Sequence, residues 1–143
     1  MSALAEALVA AQAELPTALK RDADGEVNGR AYKYLTLDKL IEATRPILTK
    51  HGIAISQWPE HVIVPGTNQA ASTLRSTLVT RLEHATSDSR FSDVIEYTMP
   101  LYVTEATMQG LGSAITYARR YAWASALGIA AEEDTDAKDE IPF

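Results

Sequence analysis

The chain has 143 residues, 46% of them hydrophobic and 22% charged, which is enough for one globular core. Cysteine is absent, which excludes disulfide bonds and metal sites built on thiolates. The formal net charge of −6 argues against a uniformly basic surface of the kind that binds nucleic acid.

The N-terminal third of the chain predicts two helices separated by a polar segment. Residues 2–14 follow a helical pattern, and the glycine-containing segment 20–30 is expected to be a loop. A second helix is predicted to begin after Thr36 and to end at Gly52, with apolar residues at the helical period. Pro46 lies inside this pattern and should kink or shorten the helix.

Strands are predicted in the middle of the chain, and a long helix follows them. The segments Ile53–Trp58 and His61–Val64 are short apolar runs, while Thr73–Glu83 and Phe91–Thr98 alternate in the manner of half-buried strands. A helix is expected from Thr104 to Leu127. The sequence therefore predicts an α+β fold in which a small antiparallel sheet of three or four strands packs against a long C-terminal helix.

One face of the predicted C-terminal helix combines basic, aromatic and small hydroxyl side chains. Its members are Gln109, Ser113, Thr116, Tyr117, Arg120 and Tyr121, with Arg119 and Trp123 at the border of the face. Guanidinium groups bind phosphates and tyrosine rings offer stacking surfaces to bases, so the pattern favours single-stranded nucleic acid. The alternative is a solvated face whose tyrosines are half-packed against a neighbouring element.

Two smaller basic groups occur elsewhere in the sequence. Arg75 and Arg81 share one face of the strand predicted over residues 73–83, and Lys33 stands between two tyrosines. Each group alone is also compatible with an ordinary solvated surface. Together with the C-terminal helix they predict a set of DNA contacts made by Lys33, Arg75, Arg81, Tyr117, Arg119, Arg120 and Tyr121.

The negative charge is concentrated at the C-terminus. Residues 131–143 hold six acidic residues and one basic residue, whereas residues 1–130 hold 13 acids and 12 bases. This division predicts a folded domain over 1–130 and a disordered acidic tail over 131–143. The tail ends in Asp139, Glu140, Ile141, Pro142 and Phe143, which resembles the C-terminal tip of bacterial single-strand DNA-binding proteins. That resemblance implies docking of the tip into a pocket of a host or phage replication or repair protein.

Two blocks of sequence carry a further resemblance. The block over residues 112–121, GSAITYARRY, is followed by ALGI and by Glu132-Glu133-Asp134, and the upstream block runs from YKYLTL at residues 32–37 to ILTKHG at residues 47–52. In this order they resemble the signature of the ERF (essential recombination function) family of phage recombination proteins. The resemblance covers roughly residues 30–136.

The ERF resemblance implies ATP-independent annealing of complementary DNA strands by a homo-oligomer, either a ring or a helical filament, with single-stranded DNA on its surface. It also implies a fold similar to that of a wider superfamily of strand-annealing proteins. The alternative function is a protein-interaction adaptor that recruits replication or repair factors through the acidic tail without binding DNA.

An enzymatic function is not expected from the sequence. His51, His61 and His84 show no spacing typical of metal ligands, and no phosphate-binding glycine loop is present. No cofactor or metal is therefore predicted. Residues 1–15 show no signal-peptide pattern and no apolar run is long enough to span a membrane, so a cytoplasmic location is expected. The ERF resemblance implies that the host cell is bacterial.

Overall fold

The computed structural model describes residues 2–21, 23–27, 29–86 and 93–131. Within these ranges the α+β prediction is confirmed, with three helices and a three-stranded antiparallel sheet. No helix in the described ranges is long and apolar enough to cross a membrane. In chain order the elements are α1 (Ala3–Glu14), β1 (Ala18–Leu19), β2 (Ala23–Val27), β3 (Arg30–Tyr34), α2 (Leu37–Lys50), β4 (Ile53–Val64), β5 (Thr73–His84), β6 (Val94–Pro100), α3 (Met108–Leu127) and β7 (Ala130–Ala131).

The main sheet has the order β4-β5-β6, and its two faces differ in composition. Ile55, Leu82 and Ile95 are paired across the three strands and belong to the hydrophobic core. The next residues along the strands point to the opposite face because side chains alternate, and there Arg81 pairs with Glu96 in register. The apolar face is therefore the one that the helices cover.

The core joins all three helices to the apolar face of the sheet. Its fully buried side chains come from α1, α2, the sheet and α3, and include Leu4, Ala11, Leu40, Leu48, Ile53, Leu82, Trp123 and Leu127. Burying a leucine-sized side chain contributes about 1.5–3 kcal/mol relative to leaving it exposed. The elements at the two ends of the chain thus contribute to one apolar cluster.

Trp123 is the largest of these buried side chains and fixes the position of α3 against α2. Its side chain is 1% exposed, and its indole Nε1 donates a hydrogen bond to the hydroxyl of Thr44 at 2.9 Å. Thr44 is itself fully buried and donates to the carbonyl of Leu40 at 2.8 Å. Every polar atom that these two side chains take out of water therefore has a partner. The sequence pattern placed Trp123 at the border of the polar face of α3, which is wrong.

The segment predicted as a loop over residues 20–30 is instead largely a β-hairpin. Strands β2 and β3 pair antiparallel from Ala23↔Tyr34 to Val27↔Arg30. Gly29 lies between the two strands with a φ of 78°, a conformation that favours glycine in a hairpin turn. The loop prediction failed because Asp24, Gly25 and Glu26 have low strand propensity, and cross-strand pairing overrides that preference.

Two prolines interrupt the structure less than the sequence predicts. α2 continues through Pro46 to Lys50. Pro46 has no amide N–H, so the carbonyl of Glu42 lacks its usual helical donor. Both residues are exposed, so water can hydrogen-bond to that carbonyl instead. Likewise, β4 is one strand through Pro59 rather than two short ones. In the described ranges β4 is an edge strand paired only with β5, and proline is tolerated on an edge.

Smaller differences concern the ends of elements. α3 begins at Met108 rather than Thr104, with the Thr107 side chain accepting a hydrogen bond from the Gly110 amide, and β6 extends to Pro100. Leu74, which shares a face of β5 with the buried Leu78 and Leu82, is 67% exposed because the start of that strand lies beyond the helices. Phe91 lies outside the described residues.

The two ends of the described chain meet in a short parallel pairing. β1 pairs with β7 through Ala18↔Ala130 and Leu19↔Ala131. The side-chain amide of Gln12 also reaches the carbonyl of Leu127 at 3.5 Å. The segment that follows α3 is thus held next to the segment that follows α1.

The hydrogen bond between Trp123 and Thr44 generates a stability prediction. Thr44→Val keeps the side-chain volume but leaves the indole N–H buried without an acceptor, which should lower the free energy of unfolding by about 1–3 kcal/mol. The measurement is urea unfolding followed by circular dichroism. In a Trp123→Phe background the same substitution should cost less, because no indole N–H remains. Equal costs in the two backgrounds would contradict this pairing.

A surface cluster joins the C-terminal ends of α1 and α2. Glu14 pairs with Lys50 at 2.6 Å and with Nε2 of His51. The hydrogen bond from Lys50, and then that from His51, lowers the pKa of the Glu14 carboxyl below its ordinary value. A lowered pKa means that the folded state favours the carboxylate.

The lowered pKa of Glu14 predicts how stability depends on pH. Its contribution is fully present above the ordinary pKa of a glutamate and is lost as the pH falls through the lowered pKa of the folded state. Glu14→Gln should therefore be less stable than the parent at neutral pH, and the two should converge in acid. Thermal unfolding at a series of pH values measures this difference. A gap that stays constant down to the lowest pH would refute the assignment.

Candidate nucleic-acid interface

The polar face predicted for α3 is turned away from the sheet. Gln109, Ser113 and Thr116 are exposed along the first half of the helix, and Tyr121 follows at 43% exposure. The buried positions Ala118, Trp123 and Leu127 lie on the other side of the helix. The helical period therefore separates a core face from a solvent-facing polar stripe, as predicted.

Arg120 lies among three tyrosine rings. Its guanidinium carbon is 5.0 Å from the ring centroid of Tyr34, 5.0 Å from that of Tyr117 and 5.4 Å from that of Tyr121. The rings of Tyr117 and Tyr121 are themselves 4.7 Å apart, at an angle of 42°. We call Tyr34, Tyr117, Arg120 and Tyr121 the arginine–tyrosine cluster.

Two sequence-distant elements build this cluster. Tyr117, Arg120 and Tyr121 fall within slightly more than one turn of α3, where residues three or four positions apart are neighbours. Tyr34 is the last residue of β3, so the β2–β3 hairpin supplies the third ring. The hairpin that the sequence analysis missed is therefore part of the site.

The chemistry of the cluster suits a phosphate flanked by bases. A guanidinium attracted to aromatic faces keeps N–H groups at its edge, and these can donate to phosphate oxygens. No carboxylate pairs with Arg120 in the part of the chain that the structure describes. Its positive charge is therefore not neutralised there by an acidic neighbour, and partly exposed tyrosine rings surround it.

Arg119, the neighbour of Arg120, points towards the sheet. Its Nε donates to the side-chain oxygen of Gln57 at 3.4 Å, and the amide of Gln57 donates to the Arg119 carbonyl at 3.1 Å. The same amide donates to the hydroxyl of Thr80 at 2.9 Å, and Thr80 is fully buried. Gln57 thus fixes one turn of α3 on the sheet. Its role could not be recognised from the sequence, because a single glutamine within a strand gives no signal.

Arg75 and Arg81 lie on the face of the sheet that the helices leave uncovered, so the structure does not bring them together with Arg120. Arg81 forms ion pairs with Glu96 at 3.3 Å and with Glu83 at 3.5 Å, the second without hydrogen-bond geometry. Arg75 is exposed and forms no ion pair within the described ranges. Of the two arginines, Arg75 is therefore the one whose charge is not paired with a carboxylate in the described ranges.

Two groups of predicted residues lie outside what the structure describes. The backbone of Lys33 belongs to β3 and pairs with Asp24, but its side chain is outside the description. The partner-binding residues Asp139, Glu140, Ile141, Pro142 and Phe143 lie beyond the last described residue.

Several acidic and histidine side chains of the described ranges have structural partners. The carboxylate of Asp93 accepts a hydrogen bond from the Leu4 amide at the start of α1, and Nδ1 of His61 lies 2.7 Å from the Ser76 hydroxyl. Among the described residues, no group of three or more histidines and acids is placed to hold a metal ion.

Comparison with protein families identifies the group to which this chain belongs. The ERF superfamily profile matches residues 4–142, which is nearly the whole sequence. The chain is a member of the ERF superfamily. Searches of curated proteins and of solved structures gave no match. The ERF match confirms the resemblance drawn from the two sequence blocks and spans both elements of the arginine–tyrosine cluster.

Gln57 and its strand neighbour provide a matched test of how α3 is held. Gln57→Ala should lower the free energy of unfolding by about 1–3 kcal/mol, because Thr80 and Arg119 lose their partner. Ser56→Ala, one residue away on the exposed face, should change it by less than about 0.5 kcal/mol. Urea unfolding of both variants gives the comparison, and similar losses would show that Gln57 has no special role.

Proposed function

We propose that this ERF-superfamily protein binds single-stranded DNA and anneals complementary strands in phage recombination, without ATP or a metal ion. The observation that carries the proposal is Arg120 placed among three tyrosine rings on the exposed side of α3. The ERF match supports it independently of this geometry. In this proposal residues 1–130 form the annealing domain, which acts in the cytoplasm of the bacterial host.

The arginine–tyrosine cluster would hold one short stretch of a strand. The Arg120 guanidinium would donate to a phosphate, and the exposed ring of Tyr121 would stack on a base of any sequence. Ser113 and Thr116, exposed on the preceding turns of α3, would offer hydroxyl groups to the next sugar or phosphate. Such contacts do not read base edges, which suits a protein that must accept any strand and leave its bases free to pair.

One cluster would bind weakly, because an exposed charge contact contributes little after screening by salt. Repeating the cluster on several subunits raises the overall affinity through effective concentration. The proposed active form is therefore a homo-oligomer. The predicted contacts of Lys33, Arg75 and Arg81 remain proposals, and the latter two would form a second path on the uncovered sheet face.

The acidic tail is proposed as a separate partner-binding element. Ile141 and Phe143 would enter an apolar pocket of a replication or repair protein, and a basic side chain there would pair with Asp139 or Glu140. The support for this proposal is the sequence of residues 139–143 alone.

Arg120→Ala tests the proposed DNA contact directly. The variant should bind a labelled single-stranded oligonucleotide more weakly in fluorescence anisotropy. The logarithm of its binding constant should also depend less steeply on the logarithm of salt concentration, by about 0.7 for each phosphate that the variant no longer neutralises. Annealing of two complementary labelled strands, measured without ATP or magnesium, should slow in parallel.

Controls for this experiment separate a local contact from a general charge effect. Lys50→Ala removes the same charge from an exposed position at the end of α2 and should leave the salt dependence unchanged. At Tyr34, phenylalanine should retain binding and leucine should weaken it, because the ring is what contacts Arg120. Unchanged affinity and salt dependence in a folded Arg120→Ala protein would refute the placement of DNA. No binding by the parent at any salt concentration would favour the adaptor function.

A further inference from the structure

The described surface has an unusual apolar end. Six of the nine exposed large hydrophobic residues in the described ranges lie on one hairpin, the segment beside it and the start of α3. These are Val62, Ile63, Leu74, Tyr102, Val103 and Met108. Hydrophobic groups concentrated in this way mark interaction sites more often than inert surface.

The exposed hairpin extends beyond the rest of the sheet. β6 stops pairing with β5 at Thr77↔Pro100, so residues 61–64 and 73–76 form strand pairs only with each other. We call these residues the tongue. Ile63 and Leu74 are directly opposed across it, at 70% and 67% exposure. The Leu101 amide donates to the Ser76 carbonyl at 3.0 Å, which places the segment containing Tyr102 alongside.

A shallow apolar groove lies at the far edge of the same sheet, between β6 and α3. Its volume is about 190 Å³, and it is lined by Tyr97, Thr98, Met99, Ala122, Ser125 and Ala126. None of these side chains is charged, and Tyr97 is 45% exposed. The outer backbone edge of β6 has no strand partner in the described ranges, and an edge of this kind presents backbone groups that can pair with another chain.

The tongue cannot fill the groove of its own chain. The groove residues of β6 stand opposite Leu78, Val79 and Thr80 of β5, whereas the tongue begins after the sheet register has passed the end of β6. Only the β5 strand of the tongue neighbours β6, and its β4 strand forms the opposite edge of the sheet. An apolar projection and an apolar recess on one chain, unable to meet within it, suit two copies of that chain.

We infer that the tongue of one copy docks into the β6–α3 groove of a second copy, head to tail. This contact is heterologous, so it leaves a free tongue and a free groove at the ends and adds further subunits until a ring closes or a filament grows. The charges agree with this arrangement. Arg75 of the tongue forms no ion pair in the described ranges, and it faces the same side of the sheet as Glu96 at the receiving edge, whose half-exposed carboxylate pairs with Arg81 of its own chain and would accept a second guanidinium.

The inference deepens the proposed function, because only repeated subunits would align several arginine–tyrosine clusters along one strand. It assigns the oligomer contact to residues outside that cluster. Docking and DNA binding can therefore be measured separately, the first without any DNA present.

Paired cysteines test the contact, and the natural absence of cysteine leaves no competing thiol. Ile63→Cys places a thiol on the exposed tongue, and Ser125→Cys places a second one in the exposed lining of the groove. The full-length double variant, mildly oxidised without DNA, should give a ladder of disulfide-linked multimers on a non-reducing denaturing gel. Each single variant, oxidised in the same way, should remain monomeric on the gel.

A second measurement uses substitutions that oppose docking. Ile63→Asp and Leu74→Asp should each reduce the mass measured by light scattering, whereas Val9→Asp, at a 62% exposed position on α1, should leave it unchanged. Circular dichroism verifies that the variants are folded.

Each outcome decides the inference. Dimers formed by Ile63→Cys alone would show a symmetric contact between tongues and overturn the head-to-tail arrangement. The absence of a ladder, together with an unchanged mass for both tongue variants, would overturn docking of a second copy altogether. In either case the Arg120→Ala experiment would still decide the proposed DNA contact, so the two failures can be told apart.

Discussion

The structure depends on the burial of one tryptophan at the point where α2, α3 and the sheet meet. The Trp123 indole fills the space between the two helices and hydrogen-bonds to the fully buried Thr44. The rotation of α3 about its own axis is thereby fixed, because an indole has one N–H and Thr44 offers one hydroxyl in the right place. Without Trp123, the core face of α3 would consist mainly of alanines and Leu127. Small side chains of similar size would fix the rotation of the helix less strongly.

This fixed rotation gives adjacent arginines opposite environments. With Trp123 buried, the helical period turns Arg119 towards Gln57 and leaves Arg120 among the tyrosines. Gln57 hydrogen-bonds to Arg119, which lies about one turn before Trp123 on α3, so the two contacts support the same orientation of the helix. The proposed site is therefore a consequence of core packing rather than a separate addition to the surface.

The sequence predicted those parts of the structure that follow from local periodicity. The three helices, β5 and the polar face of α3 show their patterns over ten or more residues. Each of the two ERF blocks can likewise be recognised from residues that are close together in the sequence. The β2–β3 hairpin could not be predicted in this way, because Asp24, Gly25 and Glu26 give β2 a low strand propensity and Tyr34 of β3 packs against a residue of α3 that is 86 positions away. Tyr34 meets Arg120 only in the folded chain, so no local pattern could identify it as a site residue.

The exposure of Leu74 shows a second feature that the sequence could not predict, namely where burial ends along β5. Alternation predicted that Leu74, Leu78 and Leu82 share a face, and the pairing of β5 confirms that they do. The pattern could not indicate where the helical layer ends, so it did not distinguish the exposed Leu74 from the buried Leu78 and Leu82. Burial depends on what lies opposite a residue, and for the outer part of the β4–β5 hairpin no helix lies there in the described structure.

The pairing of β1 with β7 affects how the chain folds during synthesis. α1 emerges from the ribosome early, but Trp123, Leu127 and Ile129 of its apolar cluster are made more than a hundred residues later. Contacts of such long sequence separation impose a large entropic cost before any native packing is gained, which slows folding. During synthesis the apolar side of α1 can first pack against α2 and the β4–β5 hairpin, and the part of the cluster supplied by α3 and Ile129 is added only when nearly the whole fold has been translated. A chain that ends before α3 would lack Trp123, Leu127 and Ile129 of the core as well as Arg120, so it would expose apolar surface and would have no arginine–tyrosine cluster.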